Sequence, residues 1–262
     1  MARITSVFTD QPLSGPRVDL NGDVGEGAGS DAALIPFLSS ANIACGRHAG
    51  DTATMAATVA LAMESGVAIG AHPGFDDRAN FGRRELQLSP ADISELVAAQ
   101  IRDLARVARG AGASLTHVKP HGALYNMAAR DRGLARAVAE GVATVDASLV
   151  LFGLSGSELI RAGEEAGLRT ASEAFADRGY RPDGSLLPRD APGAVLHDAE
   201  AVVARALGMV RDQAVLASDG TRIALRVDTL CVHGDTPGAA ALAGRLRAAL
   251  AGAGIIVRSL GR

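Results

Sequence analysis

Along the chain, short apolar runs alternate with longer segments whose apolar residues recur at helical spacing. Residues 18–20, 42–44, 67–71, 115–119, 149–153, 169–174 and 229–232 read as strands, with 255–258 as a short eighth. Helical patterns cover 52–65, 90–109, 134–145, 158–166, 197–210 and 238–250. Local chemistry marks several helix starts. Asp51 stands before the first, and Ser89-Pro90-Ala91-Asp92 supplies a cap, a proline at the first helical position and a first-turn carboxylate. Ser218-Asp219-Gly220 predicts a small hairpin. Regular strand–helix alternation predicts a parallel sheet.

Two parallel architectures compete. A doubly wound sheet gathers its chemistry at one switch point, whereas a barrel brings every strand's C-terminal end round one mouth. Polar side chains here follow nearly every strand: Asp23 and Glu26, His48 and Asp51, His72, Lys119 and His121, Asp177 and Arg178, His233 and Asp235. That distribution favours a single irregular (β/α) barrel of seven or eight strands over residues 17–262, preceded by a flexible leader at 1–16. Nothing in the pattern divides the chain into two domains.

Composition narrows the class. The 262 residues are 48% hydrophobic with net charge −3, and the longest uncharged stretch is 15 residues, 32–46. A membrane span needs about 20 mainly apolar residues, so none is expected. Residues 1–16 lack the apolar core of a secretory signal. Two cysteines, Cys45 and Cys231, exclude a disulfide scaffold and fit a reducing cytoplasm. Eight aromatic residues and no basic surplus argue against nucleic acid.

Rare residue types are concentrated. Among 26 basic side chains the only lysine is Lys119, and the decapeptide 117–126, His-Val-Lys-Pro-His-Gly-Ala-Leu-Tyr-Asn, also holds two of six histidines. A chain that writes arginine elsewhere has kept one compact ammonium here. Asp19, Asn21 and Asp23 alternate along the first strand and so share one face. Inward, they would orient water or hold a metal.

These stretches resemble the LamB/YcsF family of lactam-utilisation proteins, known as the A subunits of 5-oxoprolinase. The likeness rests on 18–26, 40–51, 70–74, 81–84, 117–126, 173–180 and 231–235, in the family's order. It departs at Gly22, where the family usually has Cys, and at Arg47, where it usually has Phe; Arg47 would place a cation beside His48. The resemblance implies a glycoside hydrolase/deacetylase-like barrel. It also implies ATP-dependent ring opening of 5-oxo-L-proline to L-glutamate with two partner subunits, B and C.

That chemistry suggests roles. Lys119 is the leading candidate for stabilising an oxyanion or phosphate, against a structural ion pair with a carboxylate. His121 or His48 would be the base, and Asp23 and Asp19 complete the catalytic candidates. Asn21, Glu26, Asp51, His72, Asn126, Arg178, His233 and Asp235 are candidate substrate contacts. No Walker A sequence exists. Gly153, Ser155 and Gly156 open a helix after a strand and would hold phosphate through N–H groups, unless the segment is ordinary capping. ATP is therefore expected either here or on a partner. Asp23, His48, His72 and His121 have the ligand types for zinc or manganese but no local metal motif, so a divalent metal stays open and none is assigned. Self-assembly is open too. Two rivals remain: a metal-dependent barrel deacetylase, disfavoured by the absence of Trp, and a non-catalytic subunit that positions partners.

Overall fold

The computed structural model describes residues 15–233 and 238–261. In chain order the elements are β1 Arg17–Val24, α1 Asp31–Leu34, β2 Ser40–Ala44, α2 Thr52–Glu64, β3 Ala68–His72, α3 Pro90–Gly110, β4 Leu115–Val118, α4 Gly122–Ala128, α5 Arg132–Val145, β5 Val150–Leu154, α6 Glu158–Glu165, β6 Arg169–Phe175, α7 Ala199–Asp212, β7 Ala214–Leu216, β8 Arg222–Ala224, β9 Thr229–His233, α8 Ala239–Gly252 and β10 Ile256–Val257. Short 3₁₀ turns occupy Ile35–Phe37 and Arg78–Asn80.

Seven parallel strands close into a barrel in the order β1-β2-β3-β4-β5-β6-β9, with β9 returning to β1. The register sets Asn21 opposite Ser40 on one side and Cys231 on the other, and Asp23 opposite Asn42 and His233. The eighth strand, β10, lies outside the closed ring and pairs only with Arg17 and Val18. The expected hairpin is present as the antiparallel β7–β8 pair beside the barrel.

Caps explain most helix starts. Asp51, Ser89, Asp131, Ser157 and Asp198 each accept a backbone N–H of the first turn. The apolar core includes Leu20, Ile43 and Val118 from strands and Val59, Ile101, Leu104, Val138 and Leu246 from helices. A separate cluster of Val150, Phe152 and Ala171 packs against Leu260.

Two expectations needed correction. The first strand, expected from the apolar run at 18–20, continues through residues 21–24, because their backbone pairs with β2 and β9 on both sides. The helix α4, directly after His121, was not foreseen; its seven residues are too few to show helical periodicity.

The candidate active site at the barrel mouth

Alternation along β1 sends Asp19, Asn21 and Asp23 to one face at successive depths. At the deepest, Asp19 accepts hydrogen bonds from Ser39 Oγ at 2.6 Å, Ser40 Oγ at 2.7 Å and Thr229 Oγ1 at 2.5 Å. Burial pushes its carboxyl up to about 6, against those hydroxyl contacts. One step up, the Asn21 amide donates to Glu173 Oε1 at 2.9 Å and Thr229 Oγ1 at 2.7 Å. Its carbonyl accepts from Asn42 Nδ2 at 2.7 Å. His117 donates through Nε2 to Asn42 Oδ1 at 2.9 Å and stacks on Phe152 with ring centroids 4.5 Å apart. Only glycine fits at position 70, because a Cβ there would lie 2.1 Å from the His117 ring.

Lys119 sits above this layer. Its Nζ lies 2.9 Å from Asp23 Oδ1, 2.9 Å from Glu173 Oε1, 3.0 Å from Cys231 Sγ and 3.2 Å from Asn21 Oδ1. Burial alone would pull its pKa down, but Asp23, Cys231 and Glu173 hold it well above the usual lysine range. Lys119 is thus a fixed cation, with its three protons facing four acceptors. These contacts agree with the structural ion-pair reading of Lys119, and the side chain also borders the cavity where an oxyanion or phosphate would lie. Asp23 stays ionised: burial raises its pKa, but His72 and Lys119 together drive it well below the carboxylate range.

At the rim, Glu26, His48, His72 and His121 converge, with one possible ligand atom from each within 4.8 Å of the others. His72 donates through Nδ1 to the Lys119 carbonyl at 2.7 Å, and His121 through Nε2 to the Phe81 carbonyl at 2.8 Å. His48 lies parallel to His121, with ring centroids 3.8 Å apart. Gly82, at φ 62°, clears this stack; a Cβ there would meet His48 Cβ at 2.8 Å. Glu26 Oε1 is buried with only long contacts, 3.3 Å to His121 Nδ1 and 3.4 Å to His48 Nε2, and the buried His48 Nδ1 has no hydrogen-bond partner. Burial presses His48 down to about 3, so it is neutral at ordinary pH. Burial raises Glu26, yet contacts with His121, His48 and His72 bring it to about 2.

These groups border a cavity of about 700 Å³ at the C-terminal end of the strands. Asp23, Glu26, His72, Lys119, His121 and His233 line it, whereas His48 lies behind them. Asn126 is exposed on its wall. His233 is held by Asp177, Nδ1 to Oδ2 at 3.0 Å. Arg83, Arg181 and Arg189 also line the cavity.

Several candidates lie elsewhere. Asp19 and Asn21 belong to the interior network and do not line the cavity. Asp51 is exposed and spends its carboxylate on capping, accepting from Thr54 N and Thr54 Oγ1, both at 2.8 Å. Arg178 borders the cavity, but its guanidinium donates to the carbonyls of Ala194 and Leu187. Asp235 falls outside the described residues. The expected phosphate loop is corrected as well. Gly153 is within β5 and faces Leu159 and Ile160 of α6. The N–H groups of Ser155 and Ser157 are committed to Glu173 O and Leu154 O, and the Ser157 side chain caps α6. Ser155 and Gly156 touch the cavity, but this is capping geometry rather than an anion cradle.

The two departures from the family pattern miss the site. Position 22 faces Leu38, whose Cδ1 would lie 2.7 Å from a Cβ at that position, so a thiol there would point away from Lys119. Arg47 turns to Asp76 at 3.0 Å, and the low His48 pKa comes first from burial, not from Arg47.

Residues 18–262 match the LamB/YcsF family. The chain belongs to that family. Among similar members, the A subunit of 5-oxoprolinase from Methylococcus capsulatus is 54% identical over 249 residues, 93% of this chain and 96% of that protein. The corresponding A subunit from Heliobacterium modesticaldum is 52% identical over 248 residues, 93% of this chain and 98% of that protein. A lactam utilization protein of Thermus thermophilus shares the fold with a TM-score of 0.87 at 45% identity, covering 93% of this chain and all of that one.

Glu173, Asn42 and Cys231 were missed as site residues. Glu173 has one signal in the sequence: it is the lone carboxylate of β6, within the otherwise uncharged run Thr170-Ala171-Ser172-Glu173-Ala174-Phe175 that follows Arg169. Asn42 and Cys231 have none beyond their rarity.

Proposed function

We propose that this LamB/YcsF chain carries the hydrolytic site of a 5-oxoprolinase, opening the lactam of 5-oxo-L-proline to L-glutamate in ATP-dependent fashion with partner subunits B and C. The observation that carries this reading is the rim cluster itself. Glu26 Oε1 reaches only His121 Nδ1 at 3.3 Å, His48 Nε2 at 3.4 Å and His72 Nε2 at 3.7 Å beside a 700 Å³ cavity, and His48 Nδ1 has no hydrogen-bond partner; native interiors rarely leave buried polar atoms so poorly paired without a use. The names of the similar proteins agree with it.

A five-membered lactam is an unstrained amide and a poor electrophile. Transfer of the γ-phosphoryl group from ATP to its carbonyl oxygen, with ADP leaving, makes the ring carbon attackable by water; C–N cleavage then leaves glutamyl phosphate, which a second water hydrolyses to L-glutamate and inorganic phosphate. A base must take the first water's proton, and an acid must supply one to the ring nitrogen. His121 suits the base: burial lowers its pKa, its Nε2–H is anchored on Phe81, and its Nδ1 faces the cluster. Water held between Glu26 and His121 gives its proton to Nδ1 as its oxygen bonds to the ring carbon. His233, oriented by Asp177, suits delivery of a proton to the departing nitrogen. Arg83, Arg181 and Arg189 offer positive charge for the substrate carboxylate and the phosphate. Lys119 keeps Asp23 ionised and in place. With the 153–157 loop engaged in capping, ATP is assigned to the partner subunits and the protein to the cytoplasm.

The deacetylase alternative uses the same rim, but Tyr125 and Phe175 are the only Phe or Tyr rings among the described lining residues, and both are buried. The deciding measurement is glutamate release from 5-oxoproline and ATP by this chain with and without subunits B and C. Turnover is expected only with all three, and Glu26→Gln should reduce it by about 10²-fold or more. Robust ATP-coupled turnover by the chain alone, or Glu26→Gln turnover within about threefold of wild type, overturns the assignment.

A further inference from the structure

The rim poses a hydrogen-bonding problem. His72 Nδ1 and His121 Nε2 each face a backbone carbonyl, which only accepts, so both nitrogens carry protons. The two remaining nitrogens, His72 Nε2 and His121 Nδ1, face each other at 3.0 Å. In neutral rings both bear lone pairs. Glu26 Oε1 adds a third acceptor, 3.3 Å from His121 Nδ1 and 3.7 Å from His72 Nε2. Asp23 Oδ2 adds a fourth, 3.5 Å from His72 Nε2. Four acceptors converge with no donor among them, so a positive charge belongs at their centre.

We propose that Glu26, His72 and His121 bind a divalent transition-metal ion of the zinc or manganese class, with Asp23 Oδ2 beside it. Donors held about 2.0–2.1 Å from a tetrahedral ion are separated from one another by about 3.3 Å. The three separations here are 3.0, 3.3 and 3.7 Å. The His72 and His121 rings stand at 88° to each other, which aims two lone pairs at one point from different directions. Each ring is fixed by an N–H to a carbonyl, the outer contact that metal-bound histidines normally make. Lys119 occupies Asp23 Oδ1 and leaves Oδ2 for the ion. His48 is excluded as a ligand: its ring lies 4° from parallel to His121, so its in-plane lone pair runs alongside that of His121 rather than towards the same point.

Three protein ligands leave a coordination position open towards the cavity, the arrangement of a catalytic rather than a structural site. An ion there would supply Lewis-acid polarisation of a carbonyl or a more acidic bound water, and would take the place of His121 Nδ1 as base, because that single lone pair cannot both hold the ion and accept a proton. The site does not depend on which amide is cleaved, so its test is separate from that of the lactam reading.

The full chain is stripped with chelator, transferred to metal-free buffer and dialysed against Zn²⁺ or Mn²⁺ alone, with bound metal counted by elemental analysis. One ion per chain is expected, with a rise in melting temperature on loading. His121→Ala and Glu26→Gln should weaken binding by at least about 100-fold. His197→Ala, at an exposed histidine, should bind as wild type does. Glu26→Gln is nearly isosteric and keeps the test valid if His121→Ala folds poorly; visible absorption of the Co²⁺-loaded chain, lost in Glu26→Gln, gives a second readout. No saturable ion, or equal binding by Glu26→Gln and wild type, overturns the site and leaves an imidazolium at His72 as the central charge. Glutamate release by metal-free complex sinks this inference alone; a bound ion without glutamate release sinks the lactam reading alone.

Discussion

Two polar regions share the inside of this barrel. In the interior layer every side-chain hydrogen-bonding atom of Asp19, Asn21, Asn42 and His117 has a partner. The exception in that layer is Glu173 Oε2; at the rim, His48 Nδ1 has no partner and Glu26 Oε1 has only contacts of 3.3 Å or longer. The residue types are much the same, and so is the burial. What differs is satisfaction. A fully paired buried network fixes strand register and makes the core specific, whereas unpaired buried acceptors cost free energy that only a ligand, a proton or an ion recovers. The two layers meet at Lys119, which binds Asp23 of the rim and Glu173 below it.

The comparison breaks first at His121. If the rim is the chemical region, His121→Ala lowers turnover of the complete complex by about 10²–10⁴-fold while the melting temperature stays within a few degrees. Asp19→Asn, made in parallel, should leave turnover nearly unchanged. Equal losses from the two would erase the distinction.

Lys119 comes next, as the joint between the layers. Lys119→Met leaves Asp23 and Glu173 buried without their cation, and breaking such a pair costs about 3–5 kcal/mol. At this chain length that is a melting-temperature fall of roughly 6–20 °C. Lys119→Arg keeps the charge, but a planar guanidinium cannot place one nitrogen among four acceptors, so an intermediate fall is expected. An unchanged melt for Lys119→Met would show that the joint is not structural.

A third measurement uses acid. Burial holds His117 at about 3, against 6.5 for a free histidine. Above pH 6.5 it is neutral in both states. Between 6.5 and 3 the unfolded chain takes up a proton that the folded chain refuses, so stability falls as pH falls. His117→Gln should reduce that slope by about 1.4 kcal/mol per pH unit, measured by denaturant unfolding across this range. An identical slope in the variant would place His117 in a wetter setting than its contacts with Asn42, Thr116 and Phe152 indicate.

The smallest effect belongs to Asp51, outside both regions. Losing the α2 cap should lower the melt of Asp51→Ala by roughly 2–4 °C. Turnover should not change; a large loss would return Asp51 to the substrate contacts.

Much of this organisation was legible in advance. Helix starts were readable because caps act within three residues, as Asp51 does on Thr54. Strand positions were readable because the apolar runs are short and bounded. The crowding of His, Asn and Lys into strand ends pointed to the mouth, and Asp23, His72, Lys119, His121 and His233 do meet there. The pairing partners were not legible. Asn21 reaches Glu173 across 152 residues and Thr229 across 208.

The sequence by itself determined the βα alternation, the caps, the face shared by Asp19, Asn21 and Asp23, and the family. Each is written in a period of two, a period near 3.6, or a contiguous motif. Tertiary structure alone decided that seven strands close while β10 stays outside, and that Lys119 is enclosed by carboxylates. It also decided that Asp19 and Asn21 are interior scaffolding while Glu26 and His121 face the cavity. Those outcomes depend on closing β9 onto β1, which sets side chains hundreds of residues apart at hydrogen-bonding distance. No local pattern encodes which of several equivalent polar residues will then find a partner and which will be left without one.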